Sequence, residues 1–136
     1  MTMIDTKYGK IHDVTGPCDD DYTNMKLLHT GNGQTVKLQG PALLSYEAAA
    51  KITKGIPLTG SWRSCAYQAQ LYASDAPAHT RYAPPDGTAH TRGLAIDVST
   101  AIPATRFRAI HDALLAHGWH QPRADEPWHH SFRVNQ

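Results

Sequence analysis

The chain reads as a small α+β domain, and three observations carry that reading. Two stretches, 41–54 and 104–117, repeat apolar residues at helical spacing. Three others, 56–63, 93–99 and 128–134, alternate apolar residues with polar or small ones, as half-buried strands do. The connections between them are dense in Gly and Pro. At 136 residues the chain can bury one hydrophobic core but is too short for a second folded module, so residues 1–136 are expected to form a single domain.

Residues 1–40 hold Gly-rich turns such as HTGNGQ with short extended pieces such as QTVKLQ, an irregular extension expected to pack on the 41–134 core. Gly40-Pro41 opens a helix, since Pro is tolerated at the first helical position. Leu44, Ala48 and Ile52 then share its apolar face, and Gly55 closes it. In the following strand Ile56, Leu58, Gly60 and Trp62 alternate with Thr59, Ser61 and Arg63, which places Arg63 on the polar side. A short helix at 65–74 carries Gln68 and Tyr72. The loop APAHTRYAPPDGTA, irregular because of its prolines and its Asp-Gly pair, delivers His90 and walls a cleft.

In GLAIDVS, Leu94, Ile96 and Val98 form one face, and Gly93, Ala95, Asp97 and Ser99 the other. The 104–117 helix buries Phe107, Ile110, Leu114 and Leu115 as a stripe, ends at Gly118, and leaves Arg106 and Arg108 as a solvated face. The last strand sets Trp128, His130, Phe132 and Val134 on a core face and His129, Ser131 and Arg133 opposite. A turn at Pro127, which cannot donate to a ladder, is needed to bring Glu126 towards His129.

Four residues in two segments, TAHTRGLAIDVS and DEPWHHSF, carry the chemistry. His90, Asp97 and His129 supply two imidazoles and a carboxylate, a set that holds zinc and leaves a fourth position for water, whereas structural zinc sites are closed by four Cys or His ligands. Glu126 remains as a general base, with Asp125 the neighbouring alternative. His12, His29, His79, His111, His117, His120 and His130 lack the spacing and are expected at the surface, His120 and His130 being the competitors for a ligand role.

These residues resemble a known family. The pattern HxxGxAxD followed by ExWH is the signature of the VanY/VanX-like D-alanyl-D-alanine carboxypeptidases and dipeptidases, and it is filled by His90, Gly93, Ala95, Asp97, Glu126, Trp128 and His129. Thr88 stands where that family has Ser. A third block, TGSWRSCAYQAQLY, resembles the family's SGYRSxxxQxxLY, with Trp62 in place of Tyr, and contributes Arg63 and Gln68.

The resemblance spans about residues 41–134 and implies a small antiparallel sheet with flanking helices and a Zn²⁺ site on the sheet face. It also implies hydrolysis of peptidoglycan stem peptides, with Glu126 moving the proton and Arg63 stabilising the oxyanion. Gln68, Thr88 and Tyr82 are the matching substrate contacts. Release of terminal D-alanine is the first expectation; endopeptidase cleavage, of cross-links or of the L-Ala-D-Glu bond, is the second. A zinc-bearing binding module, as in hedgehog signalling domains, is a third reading, against which Glu126 argues.

A formal charge of +1 with no Lys/Arg run leaves no footprint for nucleic acid. No segment is apolar over the length of a membrane span, and a monomer is expected. MTMIDTKYGKIHD lacks the apolar run of a secretory signal, so the expectation is a product made in the cytoplasm that acts on the cell wall, as after phage-mediated release. Cys18 and Cys65, far apart and without CxxC spacing, are expected to be buried free thiols. Cys65 as a nucleophile has no base assigned to it.

Overall fold

The computed structural model describes residues 3–12, 15–21, 24–30 and 33–134. Gly31 and Asn32 of the HTGNGQ turn lie outside the described residues. The extended pieces of the N-terminal part pair into two antiparallel hairpins, β1 (Met3–Thr6) with β2 (Gly9–His12) and β3 (Met25–His29) with β4 (Thr35–Gln39). Ile11, Val36 and Leu38 enter the same buried cluster as Leu94, Ile96, Leu114 and Trp119.

Helix α1 (Gly40–Thr53) begins at Gly40-Pro41 as expected, but its buried face is Ala42, Leu43, Ser45, Tyr46 and Ala49. Leu44 and Ile52 are 55% and 64% exposed, which corrects the face read from the sequence. The small residues let α3 (Ala104–Ala116) pack against α1, and Ser45 is consumed locally. Its hydroxyl donates to the His117 carbonyl and accepts from the Trp119 indole at 3.0 Å. In α3 the stripe is Ile110, Ala113 and Leu114, with Phe107 partly buried, while Leu115 is 47% exposed and leaves the expected set.

One four-stranded antiparallel sheet positions the site, in the order β5 (Leu58–Gly60), β6 (Ala95–Val98), β8 (His129–Phe132), β7 (Trp119–His120). The expected 56–63 strand is cut to three residues by a register irregularity against β6, so Arg63 follows it in a loop just before α2 (Cys65–Ser74). Asp97 lies opposite His129, and Ala95 opposite Ser131. By the two-residue period these four share one face, and Ile96 and His130 the other.

His130 is therefore fully buried, on the core face that the strand alternation gives it, rather than at the surface with the other unassigned histidines. Its Nε2 stands 2.8 Å from His111 Nδ1, its ring faces Phe107 of α3, and burial pushes its pKa down to about 4. Helix α3 thus backs the sheet, and the opposite face, towards which α2 carries Gln68, is left for chemistry. Cys18 and Cys65 are joined in a disulfide, which overturns the expectation of free thiols. Their distance in sequence hid a pairing that only the fold creates.

Candidate metal centre

His90 and Asp97 are carried by a tight turn running into β6. Leu94 N–H donates to the Ala89 carbonyl at 3.0 Å, and Gly93 holds φ +69°, a left-handed conformation that L side chains rarely adopt. A Cβ at Gly93 would also fall 2.5 Å from Met25 Sδ and 3.0 Å from the Gln39 nitrogen. The glycine of HxxGxAxD is thus required by backbone shape and by the approach of β3 and β4. Towards the C-terminus, the chain turns at Pro127 as expected, the His129 N–H donating to the Glu126 carbonyl at 3.0 Å before β8 begins.

The three candidate ligands converge. His90 Nε2 lies 3.2 Å from His129 Nδ1 and 3.2 Å from Asp97 Oδ1, and His129 Nδ1 lies 3.4 Å from the same oxygen. Donors held about 2.0–2.1 Å from a tetrahedral ion stand about 3.3 Å apart, so the triangle has the size that zinc demands. The outer hydrogen bonds point the same way. His90 Nδ1 donates to the Ser61 carbonyl at 2.7 Å, which leaves Nε2 as a bare lone pair in the neutral ring, and His129 Nε2 lies 3.0 Å from the Ser131 hydroxyl.

All three candidate ligands are buried. Burial lowers the pKa of His90 and keeps it neutral. Burial alone would raise that of Asp97, but hydrogen bonds with His129 and His90 and the charge of Arg63 outweigh it and hold the carboxyl well below its ordinary range. A proton shared among His90 Nε2, His129 Nδ1 and Asp97 Oδ1 carries those hydrogen bonds, and a cation taking its place would meet two imidazole lone pairs and an anionic oxygen at once. The donor set therefore fits a zinc ion.

Arg63 completes the arrangement although it lies outside the sheet. Its N–H donates to the His90 carbonyl at 3.1 Å, its Nη2 reaches Asp97 Oδ2 at 3.0 Å, and its Nη1 donates to Gln68 Oε1 at 3.2 Å. Gln68 is buried on α2, and its Nε2 donates to the Ala83 carbonyl at 2.8 Å, so both ends of its amide are held by protein.

A cleft of about 550 Å³ opens over the ligands, lined among others by Arg63, Thr88, Tyr82, Arg123, Glu126 and Trp128. The 76–89 loop walls one side, as expected. Thr88 Oγ1 accepts from the His90 N–H at 3.3 Å and so belongs to the ligand turn itself.

Two features of the cleft were not foreseen. Trp128 precedes β8 rather than lying on its core face, and at 37% exposure it lines the opening. Arg123 pairs with Glu126 Oε2 at 3.0 Å through Nε and with Asp125 Oδ2 at 2.8 Å through Nη2. The three-residue spacing of Arg123 and Glu126 was the available signal for that pair. A larger groove, about 690 Å³ along the C-terminal half of α1, gathers His29, Glu47, Lys51 and Lys54. These residues form no converging set of three ligating groups, so chemistry rather than size selects the site.

Small antiparallel sheets with three helices, with Asp97 and His129 on one sheet face and His90 on the turn leading into it, make a D,D-peptidase-like fold, and solved structures share that fold. The vancomycin-resistance D,D-pentapeptidase VanY of the VanB-type cassette, solved with Zn(II), matches with a TM-score of 0.59 at 19% identity, over 88% of this chain and 83% of its own. The D,D-dipeptidase VanXYg, in complex with a D-Ala-D-Ala phosphinate analogue, matches at 0.66 and 17%, over 84% of this chain and 57% of its own. The LD-carboxypeptidase LdcB matches at 0.67 and 15%, over 88% and 72%. An 88% share exceeds what residues 41–134 alone could supply, so the likeness reaches into the N-terminal hairpins. No family model and no curated protein matches the chain.

Proposed function

We propose that the chain is a zinc-dependent hydrolase of peptidoglycan stem peptides, acting first as a D-Ala-D-Ala carboxypeptidase. The observation that carries this reading is the triangle of His90 Nε2, Asp97 Oδ1 and His129 Nδ1, buried at the floor of a cleft that also holds Glu126 and Arg63. The fold neighbours support it: VanXYg was solved with an analogue of D-Ala-D-Ala, VanY is a D,D-pentapeptidase, and LdcB an LD-carboxypeptidase.

In this reading His90, Asp97 and His129 hold the metal. A zinc bound there supplies Lewis acidity, making water nucleophilic near neutral pH and polarising the scissile carbonyl. Glu126 takes the proton of the attacking water and returns it to the leaving amine. Its Oε2 lies 3.0 Å from Arg123 Nε, which holds the carboxylate at the cleft.

Arg63 lends a guanidinium to the developing negative charge while its bond to Asp97 Oδ2 keeps that ligand oriented. Gln68 acts through Arg63 by fixing its Nη1, and Thr88 and Tyr82 contact the substrate along the cleft wall. Residues 1–136 act as one domain, with the N-terminal part packed on the 41–134 core, and the site of action is the bacterial cell wall.

Endopeptidase cleavage stands as the second reading because of Arg63. Two of its five N–H groups already serve Asp97 and Gln68, so part of its fork is committed to the protein rather than to a substrate's free C-terminal carboxylate. Digesting a pentapeptide stem and its C-terminally amidated twin, with products read by mass spectrometry, separates the two. Release of D-alanine from the free acid and failure on the amide is the expected outcome. Equal cleavage of both, or an internal cut without free alanine, would replace the first reading with the second. Zinc binding without hydrolysis of either peptide would leave only a binding module.

A further inference from the structure

Arg92 lies two residues after His90 in the turn that carries that ligand, and its side chain is fully buried. A buried guanidinium needs acceptors to offset its lost hydration. Arg92 donates from Nη2 to the Gly16 carbonyl at 2.6 Å and to the Asp86 carbonyl at 3.2 Å, and from Nη1 to the Pro17 carbonyl at 3.0 Å. Two of these three acceptors come from segment 15–21, which the proposed chemistry does not use.

The same segment is fastened to the other arm of the site. Cys18 is bonded to Cys65, the first residue of α2, and Asp20 Oδ1 accepts from the Cys65 N–H at 2.8 Å. Cys65 follows Arg63 by two residues and precedes Gln68 by three, and the arms meet where the Arg63 N–H donates to the His90 carbonyl at 3.1 Å. Segment 15–21 thus bridges the His90 arm and the Arg63 arm from outside the cleft.

We propose that segment 15–21 is a redox latch: with the Cys18–Cys65 disulfide closed it presents the Gly16 and Pro17 carbonyls to Arg92 and keeps the His90 and Arg63 arms in register, and with the bond reduced it lets the metal centre loosen. Arg92 is a positioning residue in this scheme, acting on His90 through the Ala89–Leu94 turn. A dithiol reductant opens the latch by thiol–disulfide exchange: the S–S bond takes two electrons and two protons to give two thiols, and the dithiol becomes a disulfide. A small-molecule disulfide closes it by the reverse exchange. The chain is thereby quiet in a reducing cytoplasm and active in an oxidising exterior.

The activity arm of the test rests on the zinc-hydrolase reading, whereas the exchange arm does not. Oxidised, phosphine-reduced and reoxidised protein are compared by amide hydrogen exchange over residues 88–94 without metal, by zinc retention against a chelator, and by kcat and KM on the stem peptide. Reduction should speed exchange in 88–94 and zinc loss about tenfold or more and lower kcat more than KM, and reoxidation should restore all three. Cys18→Ser should match the reduced protein and ignore the reductant. Arg92→Ala should mimic reduction in oxidised protein, with Arg92→Lys recovering part of the loss.

Reduction of the unmutated chain carries the decision, since it adds only two hydrogens. A reduced protein with unchanged exchange across 88–94 and unchanged zinc retention, merely melting at a lower temperature, would make the disulfide a simple staple and overturn the latch. If the oxidised protein binds no zinc and cuts no peptide, the proposed function fails, and the exchange comparison still decides the latch.

Discussion

Asp97 divides one carboxylate between two partners, Oδ1 turned to the imidazoles and Oδ2 to Arg63, and that division makes the candidate ligand set sensitive to its outer bonds. His129→Ala should abolish stoichiometric zinc on metal analysis, because two remaining donors cannot close the triangle. A full equivalent retained by the His90→Ala/His129→Ala double variant would sink the site. Ser131→Ala removes only the hydroxyl beside His129 Nε2 and should weaken zinc about 10–100-fold in a competition titration, as loss of an outer-shell partner typically does. Glu126→Gln keeps the shape of the side chain and loses its basicity. It should bind zinc normally and lose roughly 10²–10⁴-fold in kcat. Normal hydrolysis by that variant would move the base to Asp125, which shares Arg123 with Glu126.

At the scale of elements, α1 shows how one helix can offer two apolar stripes. Leu44, Ala48 and Ile52 repeat at helical spacing, and so do Ala42, Tyr46 and Ala49. The second set wins because its small residues admit α3 and because Tyr46 gains partners inside, donating to the Ile56 carbonyl at 3.0 Å and accepting from Gln34 at 3.1 Å. Ile52→Lys should accordingly change stability by no more than about 0.5 kcal/mol in urea titration. Gly93→Ala should cost roughly 2–4 kcal/mol, because it joins a left-handed backbone angle to a clash with Met25 and the Gln39 backbone. Ile52→Lys unfolding the protein, or Gly93→Ala leaving it unchanged, would contradict this packing.

For the whole molecule, the Cys18–Cys65 bond closes a loop of 47 residues, worth about 4 kcal/mol of chain entropy in the unfolded state. The buried Tyr46 phenol adds a pH dependence. Burial raises its pKa to about 12, with a hydrogen bond from Gln34 opposing and Glu47 assisting. In the unfolded chain the phenol ionises near 10. The native state then holds the proton more tightly, so stabilisation complete below pH 10 is lost as pH rises towards 12, on the order of 2 kcal/mol in all. Urea midpoints measured from pH 9 to 12 should fall with a slope that Tyr46→Phe flattens. An identical slope in that variant would assign the alkaline loss elsewhere.

What the sequence determined by itself is what local rules govern. The period of two in GLAIDVS sets Asp97 on the face opposite Ile96, Pro127 breaks the last strand ahead of His129, and the helical period places α3 within a residue of its ends. Such features depend on a side chain and its near neighbours along the chain. The tertiary structure alone decided which stripe of α1 is buried, that Trp128 faces the cleft, that His130 lies in the core against His111, and that Cys18 meets Cys65. Each of these is settled by competition among distant surfaces for burial and for hydrogen-bond partners. Periodicity shows which residues can be buried, and only the packed whole selects which of them are.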